Sequence, residues 1–276
     1  MRGRRLLVVV AATAAVATLA AVLLLRGGDD AGDPGASPGV ADPALAVKLR
    51  RLAFYDWEPN VIGPDGRPAP GDRAVTGGAD AGTAGALAPY DAVLRAARRP
   101  ARVEPDNGRA TSLFVAVDRA RRRAFGRGAP TAEAALAAVP ADRRAAAAVV
   151  EVRPGTAILR AEGSRDRFYV IEDDVALRGS EIRDVRRVGG SATGRPVIFF
   201  RFTPAGRASF QRLTRDVARR GATASLENFR DDPTEHNQHF AVVLDAQIVT
   251  TPFVDFRRHP EGLDAAAGTR LAARLP

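Results

Sequence analysis

Cysteine is absent from the 276-residue chain, and lysine and histidine are nearly absent. Without cysteine the protein cannot form a disulfide, a thiolate metal site, a cysteine nucleophile or a lipidated N-terminal cysteine. Lys48 is the only lysine among 41 basic residues, and there are three histidines. A Ser-His-Asp triad would therefore have to use one of these three, and no G-x-S-x-G sequence accompanies them.

The basic charge is carried almost entirely by arginine. A net charge of +9 and a pI near 11.1 usually suggest a nucleic-acid partner. Here the arginines are spread along the chain among acidic residues, no aromatic residues lie among them for base stacking, and alanine is very abundant. This pattern is typical of a high-GC genome, so we expect no nucleic-acid partner. The hydrophobic and charged fractions, 46% and 26%, are those of a globular protein.

A single apolar run, residues 6–25, follows the basic start "MRGRR". Twenty helical residues span ~30 Å, the thickness of a bilayer core. Because arginines precede the run and aspartates follow it, we expect residues 1–26 to form a cytoplasmic tip and a single-pass anchor in the plasma membrane, with an extracytoplasmic body. A cleaved signal peptide is the alternative. We favour the anchor because the run is long and ends in "VLLLR" rather than small residues.

The rest of the chain is predicted to comprise a flexible linker, 27–43, and a body with two parts, 44–150 and 151–276. Within the first part, residues 63–86 are predicted to form a long mobile loop because they are rich in Gly, Pro and Ala. A helix is predicted after Pro89, and a second in the alanine-rich region 131–148, divided by Pro140.

Strands and helices alternate more clearly in the second part. Strands are predicted at "RFYVIEDDVAL" and "PVIFFRF", and "GSEIRDVRRV" is predicted to be a short helix or turn capped by Ser180. Thr203 is a predicted N-cap, and the helix that follows is expected to stop at Gly221. A hairpin is predicted over 239–256. The expected fold class is α+β, with a mostly antiparallel sheet and packed helices.

No residue pattern predicts a catalytic or metal site. Asp245 fits the turn of the hairpin and Asp255 the far end of a strand, so the two are expected to lie too far apart for a carboxylate pair. His236 and His239 could share a helical turn, but no third ligand is evident. Residues 171–174, "IEDD", are expected to form a solvated turn because they lack the spacing of a calcium loop. We therefore predict no catalytic residues, no metal and no cofactor.

The glycine-rich segment 189–196, "GGSATGRP", superficially resembles a phosphate-binding loop. It has Arg195 in place of the lysine and Pro196 in place of the hydroxyl residue, and an apolar strand rather than a helix follows it. We interpret it as a connection between strands.

Several segments together resemble the extracytoplasmic head subdomain of SecD, an accessory membrane subunit of the Sec protein-export machinery. They are "ALRGSEI", "PVIFFRF", "GRASFQRLT" and "AVVLDAQIVTTPFV". The last is similar to the family's hairpin motif at Val243–Leu244–Asp245 and at Thr251–Pro252–Phe253–Val254, with threonine in place of the usual serine. The tail "HPEGLDAAAGTRL", and less closely Asn60–Gly63, resemble actinobacterial SecD-like heads. The resemblance is strong over 168–268 and looser from 52.

The resemblance implies a non-enzymatic, SecD-head-like protein that contacts or assists translocating or secreted polypeptides. Its implied partners are the Sec translocase and unfolded secretory chains, besides the bilayer at residues 6–25. SecD continues into proton-conducting transmembrane helices that this sequence does not show, so only the head's share of the function is implied. Phe253 and Phe256 are the candidate polypeptide contacts. The alternative is an envelope binding or structural module that reuses the head fold without a role in translocation.

Overall fold

The computed structural model describes residues 22–25, 40–62, 86–100, 108–188, 197–227, 232–266 and 268–272. Its helices are α1 (Pro43–Leu49), α2 (Pro89–Ala97), α3 (Ala132–Ala137) and α4 (Pro204–Glu227). Its strands are β1 (Val22–Leu25), β2 (Val40–Ala41), β3 (Leu52–Asp56), β4 (Leu113–Asp118), β5 (Arg123–Ala129), β6 (Ala147–Val152), β7 (Thr156–Arg160), β8 (Phe168–Glu172), β9 (Val175–Arg178), β10 (Ile182–Val188), β11 (Val197–Phe202), β12 (Gln238–Leu244), β13 (Gln247–Thr250), β14 (Phe253–Val254) and β15 (Thr269–Ala272).

The largest sheet has the strand order β8-β7-β13-β12-β3-β9, and β14 pairs with the start of β12. Strand β12 is buried along its whole length. It pairs antiparallel with β3, from Phe240 opposite Asp56 to Leu244 opposite Leu52. Strand β3 belongs to the part of the body predicted at 44–150, yet it lies in the same sheet as the strands of 151–276.

Antiparallel pairing dominates throughout the described residues. The exception is a parallel contact between β7 and β13, at Arg160 and Gln247. Helices are few and pack on the sheets. The predicted mixture of a mostly antiparallel sheet with packed helices is confirmed for this part of the chain.

Helix α4 packs on the largest sheet and forms the main hydrophobic core with it. Phe210, at the helical spacing that the sequence shows, is fully buried. Its ring centroid lies 5.0 Å from that of Phe202 and 5.6 Å from that of Phe240. Such ring pairs contribute beyond the area that they bury, so this cluster fixes the helix to β11 and β12.

Helix α4 begins where predicted but continues past its predicted end. Thr203 caps it with its side-chain oxygen, and Pro204 is its first residue. The predicted stop at Gly221 is wrong, because the helix runs on to Glu227. A Cβ at residue 221 would lie 3.0 Å from both a backbone carbonyl oxygen and the ring of Phe256. The glycine therefore serves close packing rather than helix termination.

A second sheet, of order β1-β15-β11-β10-β2, contains the clearest errors of the sequence interpretation. Residues 182–188 are strand β10 and not a short helix; the helical part is one 3₁₀ turn, Gly179–Glu181. Ser180 does not cap it, since Glu181 accepts a hydrogen bond from the backbone N–H of Arg178 instead. Pairing with β11, across a bulge in β10, outweighs the weak local preference for a turn.

Residues 22–25, the last four of the predicted anchor helix, form strand β1. They pair antiparallel with all four residues of β15, so this part of the anchor prediction is wrong. The pairing satisfies the backbone of a Val-Leu run outside a helix. The end of the predicted linker is likewise ordered, from Val40 into β2 and the start of α1.

Other predicted segments lie outside the described residues: 6–21 of the anchor, 27–39 of the linker, 63–85 of the loop and the glycine-rich 189–196. None of the helices in the described ranges is long and apolar enough to cross a membrane.

A third sheet, β5-β4-β6, is covered on both faces. Because side chains alternate along a strand, Val115 and Val117 of β4 pack with α2, whereas Ala116 packs with α3. Both helices are confirmed, and a 3₁₀ segment (Ala141–Ala146) follows α3 after Pro140, as the predicted division requires.

Candidate functional site

The hairpin β12–β13 turns at Asp245 and Ala246, with φ angles of 52° and 58°. Two successive residues at positive φ form the tight turn that matches the twist of a hairpin, and aspartate tolerates this conformation well. Asp245 forms an ion pair with Arg51 at 3.0 Å. Asp255 instead accepts hydrogen bonds from the backbone N–H groups of Arg257 and Arg258. Each aspartate has its own partners, and the two do not form a site.

The three histidines lie in different environments and do not form a metal site with one another. His239 is buried beside Glu58: its backbone N–H donates to both carboxylate oxygens at 2.9 and 3.0 Å, and its Nδ1 lies 2.7 Å from Oε1. His236 is buried, whereas His259 is exposed in the turn after β14. In the part of the chain that the structure describes, no three His, Cys, Asp or Glu residues are grouped as a metal site would need.

A second ionic contact, partly buried, lies next to the first, at the end of β3. Arg220 of α4 donates through Nη1 to Asp56 Oδ2 at 2.7 Å and through Nη2 to Oδ1. Burial raises the pKa of Asp56 to about 6, against the opposing effect of the Arg220 guanidinium. We call Asp56, Glu58, Arg220 and His239 the buried ionic cluster. Its members join β3 to α4 and β12.

The prediction that residues 171–174 form a solvated turn is wrong for Asp173. This residue is buried, accepts a hydrogen bond from Tyr55 Oη at 3.0 Å, and accepts another from the backbone N–H of Arg109 at 2.7 Å. Burial and the Asp173 carboxylate raise the pKa of Tyr55 above its ordinary value. The acid therefore connects β3 to the chain before β4, a contact that no local sequence pattern indicates.

The residues that carry the SecD resemblance contribute to packing and to backbone hydrogen bonds. Leu177 is buried in the main core. Gly179 touches the connection between α1 and β3, where a Cβ would lie 2.0 Å from the carbonyl oxygen of Leu49. The carbonyl of Pro252 accepts a hydrogen bond from the N–H of Phe240. The motif glycine is explained by this close approach, and none of the three positions carries a chemically reactive group.

The two candidate polypeptide contacts differ in exposure. Phe253, in β14, is 56% exposed, and its ring stands edge-on 6.3 Å from that of His239. Phe256 is partly buried and packs against the main core. Both stay predictions as contacts. Phe253 is the residue whose ring is presented at the surface.

A cleft that the sequence analysis did not anticipate lies between the β4–β5 sheet and the tip of the β12–β13 hairpin. Two cavities, of about 210 and 320 Å³, share Asp245, Ala246 and three other lining residues, so they adjoin. We call this space the arginine cleft, after five residues that line it: Arg51, Arg109, Arg127, Arg160 and Arg165. The acidic side chains of its lining are Asp173 and Asp245.

The arginines of the cleft come from five separate segments, so no spacing in the sequence could reveal the group. Their one trace in the sequence is the arginine excess, which we attributed to codon composition.

A comparison with protein families identifies the C-terminal part of the chain. Residues 156–261 match the family model described as SecDF, P1 head subdomain. This segment is therefore a SecD head-like domain, as the resemblance predicts. No curated protein and no solved structure matches the chain.

Proposed function

We propose that this protein uses its SecD head-like domain to contact secretory polypeptides during Sec-dependent export. The observation that carries the proposal is the family match over 156–261. SecDF belongs to the export machinery, and its head domain is non-catalytic in general. The Sec translocase is accordingly the proposed partner.

Among the described residues, the large apolar side chains exposed at the surface are those of Val47, Leu226 and Phe253, and of these Phe253 is aromatic. Phe253 is exposed at the end of the head-like sheet, and an aromatic ring at the surface is a common anchor for a partner chain. Phe256 packs over Gly221 and against the main core, so we assign it a supporting position behind Phe253. Contact by an apolar ring suits polypeptides of varied sequence, as an export factor requires.

Site-specific crosslinking tests this proposal. A photoreactive amino acid replaces Phe253 in the full chain, and a secretory protein is stalled in the channel. The matched control is the same amino acid at Leu226, which is 80% exposed at the end of α4. We expect crosslinks to the stalled chain from residue 253 well above those from 226. Equal background at both positions would refute the contact, and crosslinks to envelope components alone would favour the envelope-module alternative.

We further propose that the apolar run anchors the body on the outer face of the plasma membrane. Because β1 occupies residues 22–25, 16 residues remain for the helix, or ~24 Å, which is near the short limit for a span. Mass spectrometry of the protein from the membrane fraction tests this. An intact N-terminus supports the anchor, whereas a new N-terminus within the run establishes a cleaved signal peptide.

A further inference from the structure

The arginine cleft carries more positive charge than its own acids balance. Five arginines face two aspartates. Arg51 is paired with Asp245 at 3.0 Å, and Arg160 contacts the side chain of Gln247. Arg109 donates to the carbonyl oxygen of Thr156 at 3.1 Å. These three arginines are held by the protein itself.

The other two, Arg127 and Arg165, form no ion pair or side-chain hydrogen bond with any residue that the structure describes. Both are exposed and line the same cavity of about 210 Å³, from opposite elements: β5 and the turn between β7 and β8. Like charges in one cavity repel each other, and a bound anion relieves that repulsion. The cavity is therefore suited to a ligand with negative charge.

The wall between these arginines is apolar and includes a strand with an open side. Val93, Val115 and Phe168 line the same cavity. The N–H of Arg160 donates to the carbonyl oxygen of Ala246 at 2.8 Å, on the side of β7 away from β8. Backbone groups of alternate residues in a strand point the same way, so those of Ile158 also point away from β8. The pairing of β7 with β13 stops at Arg160, and Arg109 donates to the carbonyl oxygen of Thr156 on the same side. The open part of this side is therefore at Ile158, which lines the cleft.

We infer that the arginine cleft binds an extended polypeptide segment rich in Asp and Glu, which hydrogen-bonds to β7 at the open position of Ile158 and places carboxylates at Arg127 and Arg165. The inference deepens the proposed function, on which it rests, by naming a partner class. Charge favours an anion, and the open strand side favours a peptide, because strand addition uses backbone groups that other anions lack. Strand addition also leaves alternate side chains of the peptide free to meet the arginines.

Peptide binding to the purified full chain tests the inference. A short fluorescent peptide that alternates valine with aspartate is compared with one that alternates valine with asparagine, by fluorescence anisotropy. We expect binding of the acidic peptide, weakening as salt rises, and weaker binding of the neutral one. Strand addition is tested without altering the protein, with two further acidic peptides, each N-methylated at one set of alternate amides. One of them should lose binding if the peptide adds as a strand.

The matched variants separate the cleft from the overall charge. Arg127→Gln with Arg165→Gln removes the two unpaired arginines, and Arg207→Gln with Arg257→Gln removes two exposed arginines outside the cleft lining. We expect the first double variant to bind the acidic peptide about threefold to tenfold more weakly, and the second to bind it as the wild type does.

Equal loss in both double variants, or equal affinity for the acidic and neutral peptides, would overturn the inference. So would displacement of the peptide by a single-stranded oligonucleotide that binds the cleft more tightly than the peptide. These results leave the crosslink at residue 253 untouched. Conversely, acidic-peptide binding without any crosslink from residue 253 to a secretory chain would support the cleft and refute the contact at Phe253.

Discussion

The two ends of the β3–β12 strand pair differ in how their charged groups are paired. At one end the buried ionic cluster places Asp56 against Arg220 and Glu58 against His239; the second pair has little solvent contact, and the first is partly buried. At the other end, beyond Leu52 and Leu244, the arginine cleft exposes a surplus of guanidinium groups around Asp245. The ends differ in how many of their charges the protein itself neutralises.

This difference separates structural from binding charges. A buried ion must be paired, because an unpaired charge in a poorly hydrated site costs several kcal/mol. An exposed arginine loses little by lacking a partner, and so it remains available to a ligand. We therefore expect changes in the buried ionic cluster to alter stability, and changes in the arginine cleft to alter binding.

The largest effect on stability should follow Glu58→Ala. The substitution removes the acceptor of the His239 backbone N–H and leaves that buried donor unsatisfied. We expect a loss of about 3 kcal/mol in the free energy of unfolding, measured by urea denaturation. Glu261→Ala, at an exposed position, is the control and should change stability by less than about 0.5 kcal/mol. If Glu58→Ala had the same free energy of unfolding as the wild type, the charges of the buried ionic cluster would not be structural.

The pH dependence of Asp56 should come next in size. The pKa of Asp56 is about 6 in the folded protein, against an ordinary value of 3.8. The folded state thus binds this proton more tightly, so the contribution of Asp56 is most favourable below about pH 4 and falls as pH rises to about 6. A rise of about two pKa units corresponds to about 3 kcal/mol in the free energy of unfolding.

Urea denaturation from pH 4 to pH 7 measures this contribution as the difference between two proteins. From pH 4 to pH 7 the free energy of unfolding of the wild type should fall by about 2–3 kcal/mol relative to that of Asp56→Asn. Glu261→Gln should keep the wild-type profile. Parallel profiles for the wild type and Asp56→Asn would contradict the raised pKa.

The charges of the cleft should contribute little to the fold. Arg127→Gln with Arg165→Gln removes two exposed side chains without partners among the described residues, so the free energy of unfolding should stay within about 0.5 kcal/mol of the wild type. Urea denaturation alongside the peptide titration gives both values for one preparation. A large destabilisation would make these arginines structural and the comparison false.

Asp245→Asn should likewise change stability little. Asparagine tolerates the positive φ of the turn, and the exposed ion pair with Arg51 contributes about 0–1 kcal/mol. Removing a negative charge from the cleft should nevertheless strengthen binding of the acidic peptide, by about twofold to fivefold. Weaker binding would mean that Asp245 itself contacts the ligand.

The local patterns of the sequence predicted individual elements well. Thr203 and Pro204 marked the start of α4, and the spacing of its apolar residues predicted its buried face. Asp245 was interpreted as a turn residue for the correct physical reason. These features depend on neighbouring residues alone, which is why one sequence suffices to predict them.

The errors arose where distant contacts override local preference. Residues 182–188 form a strand that pairs with β11, and Gly221 lies inside α4, where Phe256 packs closely over it. Asp173, interpreted as solvated, was buried by Tyr55 and Arg109. In each case the deciding partner lies far from the local pattern.

The sequence by itself determined the helix starts, the hairpin turn and, through motifs spread over 168–268, the similarity of residues 156–261 to the SecD head subdomain. The tertiary structure alone decided which charges are buried and which are open. Arginines from five segments meet in one cleft only after β4, β5 and β7 pack beside the hairpin tip. Because electrostatic interaction depends on distance in space and on hydration, and not on spacing along the chain, only the folded protein separates charges that hold the fold from those that face a ligand.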